Sequence, residues 1–151
     1  MPQDSASSIA DRVNDRRARV LPVMVVIYVA QQLSYFLGTG AGTGDAPIQN
    51  IQLVSWLALS TTILLLLTTG GAWFYPRKVR RLANDEATRA HRDAALCLGF
   101  IASMIVCMVV YFVSMSRAVP GREAVHLVMS VGIAVALVKF AILERRAARH
   151  D

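Results

Sequence analysis

Four apolar stretches, Val20–Leu37, Ile51–Phe74, Ala94–Met115 and Ala124–Leu143, take up most of the chain. Each approaches the ~20 residues that a helix needs to cross the hydrocarbon core of a bilayer. Hydrocarbon offers no partner for a free backbone N–H or C=O, so each stretch must close its own hydrogen bonds as a helix. Short connections make neighbouring helices antiparallel. The expected fold class is therefore all-α: an integral membrane antiparallel four-helix bundle. Residues 1–19 form an N-terminal arm, residues 20–143 the transmembrane domain and residues 144–151 a tail. None of the flanking pieces is long enough to bury a core of its own. The hydrophobic share, 55% of 151 residues, exceeds the ~45–50% of an ordinary soluble domain.

The net charge of +6 raises nucleic acid as a partner, but the positions of the charges argue otherwise. Arg12, Arg16, Arg17 and Arg19 precede the first span. Arg77, Lys78, Arg80, Arg81, Arg89 and Arg92 lie between the second and third, and Arg145, Arg146 and Arg149 follow the fourth. The other two connections hold only Arg117 and Arg122. This is the positive-inside pattern, which places both termini and the middle loop in the cytoplasm. A single-strand-binding surface would interleave such charges with exposed aromatic rings, and the arms have none, so no nucleic-acid partner is expected. Arg outnumbers Lys and Ala is abundant, a composition that suggests a GC-rich bacterial genome and hence the bacterial inner membrane.

The first span must be told apart from a secretory signal. It is long for the apolar region of one, and it carries Gln31, Gln32 and Tyr35 in its second half. A retained helix is the expectation. Pro22 suits the first turn of that span, where its missing N–H costs nothing. A short interfacial helix is expected in the arm from Ala10 onward. Trp73, Phe74 and Tyr75 read as an interfacial aromatic belt, and Pro76 as the stop of the second helix. Asn84 reads as an N-cap with Asp85 and Glu86 in the first turn, where the helix dipole favours acids. Asp85–Arg89 and Arg89–Asp93 are spaced for ion pairs along a helix. Pro120-Gly121 makes the turn into the fourth helix, and Lys139 snorkels from near its end.

Ionisable residues within a membrane are the usual mark of function, and here they are scarce. The central parts of the spans hold no Asp or Glu. Small four-helix multidrug exporters carry a protonatable glutamate in their first span; this chain has none between Val20 and Leu37. Haem would need axial ligands facing one another at matched depth. His91 and His150 fall at one side and His126 at the other. Cys97 and Cys107 share one helix, ~15 Å apart along its axis, too far for a disulfide. No cofactor, metal site or catalytic group is expected.

What remains is uncharged and polar. Tyr28, Gln31, Gln32 and Tyr35 follow i, i+3, i+4, i+7 and share one helix face. Ser55, Thr62 and Thr69 repeat every seven residues in the second span. Ala95, Gly99, Ser103 and Cys107 form a small-residue stripe in the third, as do His126, Ser130 and Ala134 in the fourth. Such stripes let backbones approach closely and let polar side chains bond between helices. Tyr28, Gln31, Gln32, Tyr35, Ser55, Tyr111, His126 and Ser130 form a candidate pocket toward the outer side for a small neutral or zwitterionic molecule. Of the adjacent glutamines, one is expected to face the bundle centre and the other a neighbouring protomer.

Asp85, Glu86, Arg89 and Arg92 form a candidate cytoplasmic docking segment for a partner or for anionic headgroups, which attract basic clusters at ~1 kcal/mol per charge. The run Asn84-Asp-Glu-Ala-Thr-Arg-Ala-His-Arg-Asp, continuing into Ala94-Ala-Leu-Cys-Leu-Gly-Phe, resembles a pattern in small bacterial four-span inner-membrane proteins. The resemblance implies the fold and the membrane, and no activity. The leading reading is a non-enzymatic structural, accessory or interaction subunit, self-associating or joined to a membrane-protein partner. The alternative is a small transporter, channel or receptor that uses the outer polar cluster.

Overall fold

The computed structural model describes residues 2–39, 46–69 and 86–147, and all of its described secondary structure is α-helical apart from one short turn. The helices are α1 (Pro2–Thr39), α2 (Ala46–Thr69), α3 (Glu86–Ser114) and α4 (Gly121–Ala147). Each contains a segment long and apolar enough to cross a membrane: Arg19–Leu37, Ile51–Thr69, Thr88–Ser114 and Gly121–Ala147. The chain thus has the architecture of a multi-pass membrane protein. The aromatic belt at Trp73–Tyr75, the stop at Pro76 and the cap at Asn84 lie outside the described residues.

α1 departs from the sequence expectation. It runs without a break from Pro2 to Thr39, so Pro22 lies in its interior and not in its first turn. Proline there deprives the Ala18 carbonyl of its helical donor and crowds it. Pro22 falls close to the start of the apolar segment. A single lost bond does not by itself end a helix whose neighbouring residues keep theirs.

α4 organises the bundle. Of its membrane-length segment 44% is buried, against 6% for α3. It packs against α3, α1 and α2, while the other helix pairs touch only slightly. The sequence explains the tight α3–α4 seam. A Cβ on Gly99 would sit 2.7 Å from both the Ala136 Cβ and the Gly132 carbonyl oxygen. A Cβ on Gly132 would sit 1.9 Å from the Ser103 hydroxyl. The two backbones approach to where only hydrogen fits, as small-residue helix pairs in membranes do. The pairs Ser103–Gly132, Gly99–Ala136 and His91–Glu144 run in opposite chain directions, so α3 and α4 are antiparallel.

The apolar core follows the second half of α4. Leu21 and Tyr28 of α1, Ile63 and Leu67 of α2, Ala95 of α3, and Ile133, Ala136, Leu137, Phe140 and Ala141 of α4 form one cluster. Large side chains fill the end near Leu67 and Phe140. The opposite end, where α1 finishes and α4 begins, is filled by polar and aromatic groups instead. Phe100, Ile105, Met108 and Phe112 of α3 are exposed, a face that costs nothing in hydrocarbon.

Candidate functional site

The polar end is built around His126, in the second turn of α4. The residue is 2% exposed. Its ring lies between the rings of Tyr35 of α1, 4.0 Å away and nearly parallel at 15°, and Trp56 of α2, 4.3 Å away at 28°. Phe36 meets it edge-on at 5.8 Å. Aromatic pairs contribute about 0.5–1.5 kcal/mol each beyond area burial, so the stack ties three helices together. The His126 Nε2 lies 2.9 Å from the Gln32 Oε1. One turn further along α4, the Trp56 indole N–H donates to the Ser130 hydroxyl at 3.1 Å. Deeper still, the Tyr28 and Ser60 hydroxyls are 3.4 Å apart and both side chains are buried.

A partly open cavity of about 120 Å³ lies beside this stack. Its lining includes Gln31, Gln32, Tyr35, Gln52, Ser55, Trp56 and His126, with no charged side chain. Helix geometry explains the set. Gln31, Gln32 and Tyr35 fall within one turn of α1, and Gln52, Ser55 and Trp56 within one turn of α2. Both adjacent glutamines reach the cavity. Positions i and i+1 are ~100° apart on a helix, and a space between two helices is wide enough to meet both. The expectation that only one of them turns toward the bundle is thereby replaced.

The proposed pocket residues therefore separate into groups. Gln31, Gln32, Tyr35, Ser55 and His126 line the cavity. Ser130 and Tyr28 stand beneath it, engaged with Trp56 and Ser60. Tyr111 is not part of it: the side chain is 66% exposed on α3 and meets the neighbouring Phe112 edge-on. Trp56, Gln52 and Ser34 line the cavity although the sequence did not single them out for it. Gln52 and Trp56 lie four apart, flanking Ser55 on one face, a spacing that could have marked them. Two members of the seven-residue repeat in α2 bond within their own helix. Thr62 donates to the Ala58 carbonyl and Thr69 to the Leu65 carbonyl of its own helix; Ser60 is the buried hydroxyl instead.

At the other end, Glu86 opens α3 with an exposed side chain, Arg89 is exposed and Arg92 is partly buried. Asp85 lies outside the described residues. Asp93 meets Arg92 at 3.8 Å, in place of Arg89. Glu144 of α4, 6% exposed, approaches the His91 Nδ1 of α3 at 3.5 Å. This polar seam between α3 and α4 was not anticipated, because Glu144 reads in sequence as the first residue of a charged tail.

Fold and site together define a helical membrane protein with an uncharged pocket at one end of its bundle. Comparison with known protein families, with curated proteins and with solved structures finds no match.

Proposed function

We propose that this is a four-span protein of the bacterial inner membrane that binds a small uncharged molecule in a pocket open to the periplasm, as a small receptor or transporter does. One observation carries the reading: polar side chains from α1, α2 and α4 converge on a cavity at the end where α1 finishes and α4 begins. Had they only joined the helices, they would interlock and leave no space. The positive-inside pattern puts that end outside, with both termini in the cytoplasm. Basic residues at the opposite end face anionic headgroups there, and the start of α3, Glu86 to Arg92, belongs to that surface.

The test is cysteine accessibility in a Cys97→Ser/Cys107→Ser background. Ser55→Cys reacts with a membrane-impermeant thiol reagent added from the periplasmic side. Val54→Cys, at the same level but 66% exposed on the outer surface of the bundle, does not. A Ser55→Cys chain that resists the reagent, or is reached from the cytoplasmic side alone, overturns the reading.

A second reading, a subunit that acts by association, draws on the breadth of the exposed apolar face of α3. Cross-linking of the intact membrane protein through Phe112→Cys would reveal a fixed neighbour on that face.

A further inference from the structure

α2 and α3 both pack on α4 but touch each other only slightly, and an open groove of about 270 Å³ remains between them. Leu64 of α2 lines one side, Leu96 and Phe100 of α3 the other, and Gly132, Ile133 and Ala136 of α4 lie beneath. Those α4 residues are buried, whereas Leu64 is 37% and Phe100 64% exposed, so the groove faces outward into the hydrocarbon. Its lining is apolar except for Ser103, whose hydroxyl already donates to the Val128 carbonyl at 3.4 Å. A trapped water needs ~2–4 polar partners and would find at most one. An apolar cavity of ~150 Å³ takes the six carbons of benzene, so this groove takes a hydrocarbon chain of roughly ten. A helix with its side chains is ~10–12 Å across and fills roughly 800 Å³ over the ~10 Å from Leu96 to Ser103. The groove is far too small for a helix of a second copy.

The face of α3 that borders the groove continues toward the start of the helix. Arg89, Arg92, Leu96, Phe100 and Ser103 are spaced three or four apart and share that face. From Arg92 to Ser103 the helix rises ~16 Å, about half of the ~30 Å hydrocarbon core. A chain anchored at Arg92 therefore reaches the far end of the groove near the bilayer centre. Arg89 is exposed. The Arg92 side chain is 16% exposed, and its Nε lies 3.8 Å from the Asp93 carboxylate. That long contact involves one nitrogen of a guanidinium whose N–H donors form a fork matched to phosphate. Glu86 and Asp93, both exposed, lie further round the helix, ~60–80° from the middle of this face. Two guanidinium groups above a chain-sized groove match the two parts of a phospholipid, its phosphate and its acyl chain.

We infer that this groove holds one acyl chain of an anionic phospholipid whose phosphate is bound by Arg89 and Arg92. In the orientation proposed above, that lipid belongs to the cytoplasmic leaflet; the polar pocket at the other end plays no part. The probe is phosphatidylglycerol with a diazirine midway along one acyl chain, photolysed with the intact protein in phosphatidylcholine nanodiscs. Peptide mapping is expected to place the adduct at Leu64 and between Leu96 and Ser103. Unlabelled phosphatidylglycerol should compete several-fold better than phosphatidylcholine with the same chains. Arg89→Gln with Arg92→Gln should abolish that preference. Arg145→Gln with Arg146→Gln, an equal loss of charge outside the groove lining, should keep it. Adducts spread evenly over Ile105, Met108 and Phe112, equal competition by the two lipids, or a preference that both arginine pairs alter alike would each overturn the assignment. So would a dimer cross-linked through Leu64→Cys that excludes the probe, since a second copy would then be the occupant.

Discussion

At the scale of single residues, the polar end is a set of dependencies. His126 serves as a ring to Tyr35 and Trp56 and as a hydrogen-bond partner to Gln32. The two roles are separable. His126→Phe keeps the stack and strands the Gln32 amide, so it should destabilise the protein by about 1–3 kcal/mol. Gln32→Leu added to it should restore most of that loss, because both ends of the bond are then gone. Reversible unfolding in mixed micelles measures both; equal losses in the single and double variants would show that the bond is irrelevant. Tyr28 and Ser60 form a weaker pair. Interhelical hydrogen bonds in a membrane average about 0.6 kcal/mol, and a 3.4 Å contact belongs at the low end. Tyr28→Phe and Ser60→Ala should each cost less than about 1 kcal/mol, and the double variant no more than the larger single effect, in the same unfolding assay.

At the scale of helices, small residues govern the α3–α4 seam. Gly132→Ala places a methyl group on the Ser103 hydroxyl and should cost about 1–3 kcal/mol, the usual penalty of overpacking. Ser103→Ala removes the oxygen in the way, leaving the Ser103 Cβ 3.3 Å from the new methyl. The double variant should therefore recover part of the loss, read as a rise in unfolding temperature over Gly132→Ala alone. A double variant no more stable than Gly132→Ala would mean that the carbonyl of Gly99, 3.2 Å away, sets the limit. The same elements show what was readable in advance. The spans were legible because hydrocarbon leaves an apolar segment one choice of backbone, and the Ala95–Gly99–Ser103 stripe because four-residue spacing selects a helix face. Its partner was not: Gly132 and Ala136 are common residues in any apolar span, and only the register between helices makes them necessary. Gln31, Gln32, Tyr35 and His126 could be grouped by depth alone. Tyr111 shared that depth but faces away, since depth says nothing of rotation about the axis of α3. Pro22 misled because a proline marks where a helix can start, and α1 already runs through that point from Pro2.

At the scale of the whole molecule, the charge pattern makes a prediction independent of the pocket. Cysteines introduced between α1 and α2, at positions 40–45, should be labelled by an impermeant reagent from the periplasm, and those between α2 and α3, at positions 76–84, from the cytoplasm; the opposite result would invert the orientation. The burial of α4 bears on how such a molecule comes into being. α1, α2 and α3 precede it in the chain and touch one another only slightly. During synthesis they enter the membrane as three separate rods, without a lasting arrangement among themselves. Gln32 and Trp56 must spend that interval searching for temporary partners. The arrival of the fourth rod supplies His126 and Ser130, the glycine seam and half of the buried core in one event. Assembly is therefore a late, single step, and a chain interrupted before Gly121 would remain a loose set of helices open to membrane proteases.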